Sequence, residues 1–347
     1  MIRHDRLREI DLLRFLAALG VVIFHFAGFR GQGPWPEPSL RLFPEIGMVT
    51  RYGHLGVDLF FIISGFVILM SVWGRSVGDF AVSRVTRLMP AYWAAVLLGL
   101  VIWGVFGLGH GSPDHVIPNL SMLQGGLGVQ NVDPVFWTLW IELHFYALIA
   151  VLVRAGVTYR GCLVFMGVWT IGSVFAEEAN VKILQTLLLS TWTPCFVAGM
   201  ALYLMYRFGP TLILWGFVGV SWALAVHWTA WRTGTAFTTS KGEVAAIGIT
   251  LIFAVMILVA LGKLRWMNWR GLTVLGALTY PLYLTHSQIA LPVLEYAAPV
   301  LNKWAALALV TAVSLLFAYL LYRLVERPGQ AWMRRKLRES LASIREA

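Results

Sequence analysis

Two side chains that could do chemistry together lie in the first apolar run of the sequence, Arg14 and His25. Their spacing is about three turns of an α-helix, so both should lie on one face, roughly 16 Å apart along the axis. The run that contains them, 10–28, is long enough to cross a membrane. Ionisable groups within a span usually face the bundle interior or a water-filled cavity. The pattern therefore indicates a helix that presents a cation and a titratable imidazole to one interior.

Three more ionisable residues fall in the same half of the membrane as His25, namely Asp58, Glu142 and His286. A carboxylate can fix the tautomer and orientation of a histidine that acts as a general base. The sequence leaves open whether Asp58 or Glu142 would orient His25. It also leaves simpler roles open: a helix cap for Asp58, an ion pair for Glu142 and an interhelical hydrogen bond for His286.

A basic pair, Arg84 and Arg87, precedes the third apolar run at a spacing that makes the two residues neighbours on a helix. Together with Arg14 they could form a cationic mouth that binds phosphate groups. Anchoring at the cytoplasmic membrane surface is the alternative interpretation. Coenzyme A, with phosphates at one end and a thioester on a long arm, has the right shape to join such a mouth to His25.

The composition places these residues in a membrane, because 59% of the 347 residues are hydrophobic and 13% are charged, against roughly 25% charged in soluble domains. We predict an all-α polytopic membrane protein, a bundle of about ten transmembrane helices. The predicted spans are 10–28, 55–73, 90–107, 137–153, 161–177, 193–206, 211–228, 243–261, 272–292 and 303–324.

The distribution of Lys and Arg predicts that both termini are cytoplasmic, with the first span retained rather than cleaved as a signal peptide. About nineteen of these residues, including Arg3 and Arg6, then lie in inner segments, and about seven, including Arg232, lie in outer loops. Residues 29–54 and 107–136 should be irregular outer loops that cover a site. Residues 1–328 should form one transmembrane domain, and 329–347 a basic amphipathic tail on the anionic inner leaflet.

Two classes of site are not expected. The two cysteines, Cys162 and Cys195, lie in apolar runs, which argues against a disulfide framework and against a metal site built on cysteine, and we expect no metal cofactor. No basic stripe lies on a soluble module, so we do not expect a nucleic-acid partner despite the net charge of +10.

Several blocks, in this order, resemble the acyltransferase 3 family of integral membrane O-acyltransferases. The blocks are Glu9–Phe15 with the Arg14-to-His25 spacing, Gly56–Phe66, Arg84-x-x-Arg87-x-x-Pro90, Trp137-Thr138-Leu139-x-x-Glu142-x-x-Phe145-Tyr146, Tyr280-Pro281-Leu282-Tyr283-x-x-His286 and Val325–Pro328. Ser83 stands where the family pattern often has a further arginine beside the first.

The resemblance implies transfer of an acyl group, commonly acetyl, from cytoplasmic acetyl-CoA or another acyl-CoA to a hydroxyl. Family acceptors are often carbohydrates, such as surface polysaccharides or lipid-linked glycans, and the setting would be the bacterial cytoplasmic (inner) membrane. His25 becomes the catalytic residue and Arg14 its partner in the pore, while Arg84 and Arg87 would hold the phosphates. Ser64, Tyr283 and His286 are also expected to bind the donor.

The expected reaction has two possible routes. His25 could act as a general base for direct attack of the acceptor hydroxyl on the thioester, or it could form an acyl-histidine intermediate. A proton-coupled exporter of a glycolipid or small molecule is the alternative function, because intramembrane ionisable groups also suit a transporter.

Overall fold

The computed structural model of the protein describes residues 7–31, 33–236 and 241–346. Arg3 and Arg6, which enter the predicted orientation, lie outside the described residues, as does Ala347 at the end of the predicted tail.

The described residues form helices and no strands, which confirms the predicted all-α class. Fifteen α-helices follow in order: α1 Arg8–Ala27, α2 Ser39–Leu42, α3 Pro44–Thr50, α4 Leu55–Val72, α5 Val77–Phe106, α6 Pro113–Asn119, α7 Trp137–Ala155, α8 Tyr159–Glu178, α9 Lys182–Leu187, α10 Thr193–Phe208, α11 Leu212–Ala236, α12 Gly242–Ala260, α13 Gly271–Ala297, α14 Lys303–Leu321 and α15 Arg327–Glu346. A 3₁₀ turn, Pro134–Phe136, precedes α7, and a π-helical segment, Tyr322–Glu326, joins α14 to α15.

Within the described ranges, eight helical stretches are long and apolar enough to cross a membrane. They are Arg8–Ala27, Pro44–Val72, Val77–Phe106, Pro134–Ala155, Tyr159–Glu178, Leu212–Gly234, Gly242–Ala260 and Lys303–Ser340. Together they describe a multi-pass integral membrane protein.

The other two predicted spans are helices as well, but they lack the length or the apolarity of the eight. α10 has 16 residues, about 24 Å of helix, which is short for a bilayer core. α13 has 27 residues but buries polar side chains along its second half, among them Thr285, His286 and Gln288. Polar residues within a membrane span are energetically expensive, and they usually face the bundle interior or a water-filled cavity.

The two predicted outer loops are partly helical. Residues 29–54 contain the short helices α2 and α3, and residues 107–136 contain α6. In the second loop, the Asn119 side chain is buried and donates to the carbonyl groups of His115 at 2.8 Å and Gln130 at 2.9 Å. The same side chain accepts a hydrogen bond from the Val132 backbone at 3.1 Å. The loop is therefore pinned to a defined course up to the start of α7.

The chain forms two compact units. The first unit comprises Met1–Val21, Arg51–Gly74 and His144–Gly276, and the second comprises Val22–Thr50, Arg75–Leu143 and Ala277–Ala347. α1, α7 and α13 contribute residues to both units.

The first unit is built around α10, whose residues from Thr193 to Met205 are all buried. α10 packs on α4, and two glycines let the backbones approach closely. A Cβ atom on Gly65 would collide with the Phe196 carbonyl, and one on Gly199 with the Ile62 carbonyl. Small residues at helix crossings are typical of membrane bundles, because close packing replaces the hydrophobic driving force there.

In the second unit, α5 is a 30-residue helix that contacts α6, the π-helical segment and α15. Its first turn is capped by Ser76, whose side chain accepts from the Asp79 backbone. Arg84 and Arg87 therefore lie within a helix that begins at Val77, thirteen residues before the predicted start of the span.

Candidate active site

Arg14 and His25 are both half-buried and lie on the single helix α1, as the apolar run predicted. Arg14 belongs to the part of α1 in the first unit, and His25 to the part in the second unit. His25 falls in the last turn, three residues before Gly28.

The end of α1 is held by side chains of the loop that follows it. The last carbonyl groups of a helix have no partner within the helix and must be satisfied from outside. Three loop side chains donate to them in order: Ser39 to His25 (3.3 Å), Trp35 to Phe26 (2.8 Å) and Thr50 to Ala27 (2.7 Å). The loop therefore fixes the turn that carries His25, a role that no motif in the sequence indicated.

His25 contacts a second imidazole. Its Nδ1 lies 3.0 Å from Nε2 of His286 on α13. His286 is fully buried, and its own Nδ1 lies 2.9 Å from the carbonyl oxygen of Tyr283 and 3.2 Å from that of Leu282. At Nδ1 the neighbour of His25 is thus an imidazole, where the sequence had suggested a carboxylate.

Aromatic rings surround the imidazole pair. The Phe29 ring meets His25 edge-on at 5.6 Å between centroids, and Phe24 lies 5.1 Å away. His286 lies 6.1 Å from both Phe26 and Tyr283. In such apolar surroundings a hydrogen bond between polar groups is electrostatically stronger than in water.

Tyr283 ties α13 to the start of α7. Its hydroxyl lies 2.8 Å from the Thr138 hydroxyl and donates to the Val135 carbonyl at 3.1 Å. The side chain is buried, so this contact gives it a structural role beside the predicted donor-binding role. The charges of Asp133 and Glu142 lie within electrostatic reach of the Tyr283 hydroxyl.

Glu142 lies one turn after Thr138 on α7 and is half-buried, so it can reach the same interior as Tyr283. Its proposed role in orienting His25 stays a prediction.

Asp133 is a buried carboxyl group that the sequence reasoning did not single out. It accepts from the Val135 backbone at 3.0 Å and so caps the 3₁₀ turn before α7. Burial raises the pKa of Asp133 to about 7, because the interior disfavours the charged form more than nearby Ser287 and Gln288 favour it. The only sequence feature that could have indicated Asp133 is its position directly before Pro134 and the apolar run that follows.

Asp58 belongs to the first unit, where it forms an ion pair with Arg232 at 2.6 Å. The same carboxylate oxygen accepts from Thr229 at 3.2 Å, and the Arg232 guanidinium lies 3.9 Å from the centre of the Trp192 ring. Arg232 was expected in an outer loop, but α11 continues past the predicted end at 228 and contains it. Asp58 therefore has a structural partner, and its role beside His25 stays a prediction.

Arg87 forms an ion pair with Glu326, which is fully buried at the end of the π-helical segment. Gln330 donates to the same carboxylate at 2.9 Å, and the Arg87 guanidinium lies 5.7 Å from the centre of the Tyr280 ring. Much of the Arg87 charge is thus balanced within the second unit. The contact also explains physically why Glu326 stands in the Val325–Pro328 block.

Arg84, one turn before Arg87, is half-buried with its guanidinium 5.8 Å from the centre of the Phe80 ring. It donates to the Ser83 hydroxyl at 2.8 Å. Ser64 lies half-buried on α4 in the first unit. No group of three or more His, Cys, Asp or Glu side chains in the described part of the chain is arranged to hold a metal ion.

The chain is similar to known proteins. A family model described as an acyltransferase domain, that of acyltransferase 3, matches residues 7–323. The exopolysaccharide production protein ExoZ of Rhizobium meliloti (strain 1021) is 28% identical over 302 residues, which cover 80% of this chain and 89% of that protein. No solved structure matches the chain significantly.

Proposed function

The chain belongs to the acyltransferase 3 family, and from that premise we propose that it transfers an acyl group, most simply acetyl, from acyl-CoA to a carbohydrate hydroxyl. The observation that carries this proposal is the half-exposed His25 imidazole, held 3.0 Å from buried His286 at the capped end of α1. A positioned imidazole is the commonest general base in proteins.

The proposed reaction keeps protons and electron pairs balanced. His25 takes the proton of the acceptor hydroxyl, and the oxygen forms a bond to the thioester carbonyl carbon. The carbon–sulfur bond then breaks, and the departing thiolate takes the proton back from His25. The products are an ester and the free thiol of coenzyme A. An acyl-histidine intermediate is the other route, which the proposal leaves open.

The donor's phosphates would be held by Arg84 and Arg87, which lie one turn apart on α5. Arginine suits this task because its planar fork pairs with phosphate oxygens in two places at once. The Arg87 side chain is 27% exposed and already pairs with Glu326, so the donor's phosphates would share Arg87 with that carboxylate. Arg14 on α1 remains the proposed partner along the donor's arm.

A carbohydrate acceptor is the proposed class because the relative ExoZ is described as an exopolysaccharide production protein. Tryptophan side chains can stack on sugar rings, but Trp35 is not available for this, since it is buried and bonded to the end of α1. Trp137, which is exposed at the start of α7, is the better candidate for contact with an acceptor.

The test is turnover of acetyl-CoA by the purified protein in detergent, with release of free thiol as the readout and a panel of oligosaccharides as acceptors. Wild type should release thiol, and His25→Gln should not, while both bind acetyl-CoA alike. His227→Gln is the matched control, because His227 is exposed on α11. Binding of no acyl-CoA by wild type would overturn the proposal and favour a transporter.

A further inference from the structure

The hydrogen bonds around the two imidazoles have only one consistent direction if the pair is neutral. Carbonyl oxygens accept hydrogen bonds and never donate them, and Nδ1 of His286 lies 2.9 Å from one carbonyl oxygen and 3.2 Å from another. That nitrogen therefore carries a hydrogen. A neutral imidazole has one hydrogen, so Nε2 of His286 has a lone pair and must accept.

His286 is held neutral by its surroundings. The side chain is fully buried, with the rings of Phe26 and Tyr283 beside it, and the groups that meet its Nδ1 are uncharged carbonyls. A buried charge without an opposite charge in contact is far more costly than a buried neutral ring. The partner atom, Nδ1 of His25 at 3.0 Å, is then the donor.

We propose that His286 is a positioning residue that sets the tautomer of His25, so that Nε2 of His25 is the atom that takes the acceptor's proton. This inference rests on the proposed function for its chemistry but not for its geometry. In the reaction, Nε2 gains the acceptor's proton and returns it to the thiolate. Nδ1 of His25 keeps its hydrogen throughout the reaction, and His286 neither gains nor loses a proton.

The arrangement differs from one in which a carboxylate orients the base. A carboxylate would place a full negative charge beside the imidazolium that forms during transfer, whereas His286 fixes direction and tautomer without adding charge. The carbonyl groups that fix His286 belong to its own helix, three and four residues earlier. The backbone of α13 thus orients the His286 side chain, and His286 in turn orients His25.

The first test reads the tautomer directly and needs no activity. Wild-type protein labelled with ¹⁵N-histidine in detergent should show, by NMR, His25 with hydrogen on Nδ1 and a lone pair on Nε2, assigned by its loss in His25→Gln. Hydrogen on Nε2 and a lone pair on Nδ1 would overturn the proposal. Because this readout is independent of turnover, it holds even if the protein proves not to transfer acyl groups.

The second test separates positioning from folding with two substitutions. His286→Gln keeps a carboxamide oxygen near the position of Nε2 and can still accept from His25, whereas His286→Leu cannot. We expect kcat to fall at least about a hundredfold in His286→Leu, the lower range of a general base's contribution, and to recover at least about tenfold in His286→Gln. KM for acetyl-CoA should stay within about threefold in both, since the donor's phosphates bind elsewhere.

His227→Leu is the control, with unchanged kcat expected because this histidine is exposed on another helix. Equal kcat in wild type and His286→Leu would overturn the positioning role, as would equal losses in the Leu and Gln variants. If wild type turns over no acyl-CoA, the proposed function fails and the NMR result alone decides the tautomer.

Discussion

Charged side chains that suit a ligand are also part of the packing in the second unit. Arg87 shows this most directly, because it pairs with a fully buried carboxylate and lies over an aromatic ring. Removing one partner of a buried pair leaves the other charge uncompensated, which costs about 3–5 kcal/mol. Any loss of function in a single Arg87 variant would therefore combine an effect on ligand binding with an effect on stability.

The residue-scale prediction for Arg87 separates these two effects. Arg87→Ala should lower both the unfolding temperature and the affinity for acetyl-CoA, because it leaves buried Glu326 without Arg87 and removes a proposed phosphate ligand. Arg87→Ala with Glu326→Gln should regain most of the unfolding temperature but not the affinity. Thermal unfolding and calorimetric titration in detergent measure the two quantities.

Arg84→Ala is the companion variant, expected to weaken acetyl-CoA binding because Arg84 is the other proposed phosphate ligand. Wild-type affinity in the Arg87→Ala, Glu326→Gln double variant would remove Arg87 from the donor site.

The Asp133 carboxyl predicts how stability depends on pH. Its pKa in the folded protein, about 7, lies above the value of about 3.9 in an unfolded chain. Between these values the folded state binds more protons, so stability falls as the pH rises towards 7. Asp133→Asn keeps an acceptor for the Val135 backbone and has no charge to bury.

The variant should therefore unfold at a higher temperature than wild type near pH 8, and the difference should shrink near pH 5.5. Differential scanning fluorimetry across this range is the measurement. A difference that is the same at both pH values would show that the carboxyl does not titrate as a buried acid.

Two features of the helices and loops determine the positions of the side chains. The loop after α1 satisfies three carbonyl groups at the helix end, so it positions the turn that carries His25. In the first unit, α4 and α10 cross so closely that glycine is required at the contact.

The close crossing of α4 and α10 predicts that two glycine-to-alanine substitutions change the unfolding temperature differently. Gly199→Ala should lower the unfolding temperature by several degrees, because its Cβ would overlap the Ile62 carbonyl and force the helices apart. On α11, nothing lies within 4 Å of a Cβ added at Gly216. Gly216→Ala should therefore leave the unfolding temperature unchanged or raise it, because alanine is more favourable than glycine in a helix by about 1 kcal/mol. Parallel thermal unfolding of the two purified variants is the check, and equal shifts would refute the close crossing.

At the scale of the whole molecule, the described groups fall into two sets. The imidazole pair, Arg84, Arg87 and Asp133 belong to the second unit, and the Asp58–Arg232 pair belongs to the first. Chemistry and donor binding are thus proposed mainly for the second unit, which contains α1 from Val22 onward and α13 from Ala277 onward.

The orientation of the whole chain in the membrane can be tested. The excess of Lys and Arg in alternate segments predicts both termini in the cytoplasm. A fluorescent protein fused to the C-terminus should fluoresce, and alkaline phosphatase inserted at Gly128 in the 107–136 loop should be active outside. The reverse pattern of the two reporters would invert the topology and move His25 to the cytoplasmic half.

The membrane class, the helical positions and the family blocks follow from the amino-acid sequence alone, because apolar runs and residues a few turns apart on one helix are local patterns. It therefore predicted that Arg14 and His25 share α1, and that Arg84 and Arg87 are neighbours. It did not predict the partners: His286 for His25, Glu326 for Arg87 and Arg232 for Asp58, which are separated by 261, 239 and 174 positions. Such contacts depend on which helices pack together and on how each helix is rotated, and both are properties of the folded chain.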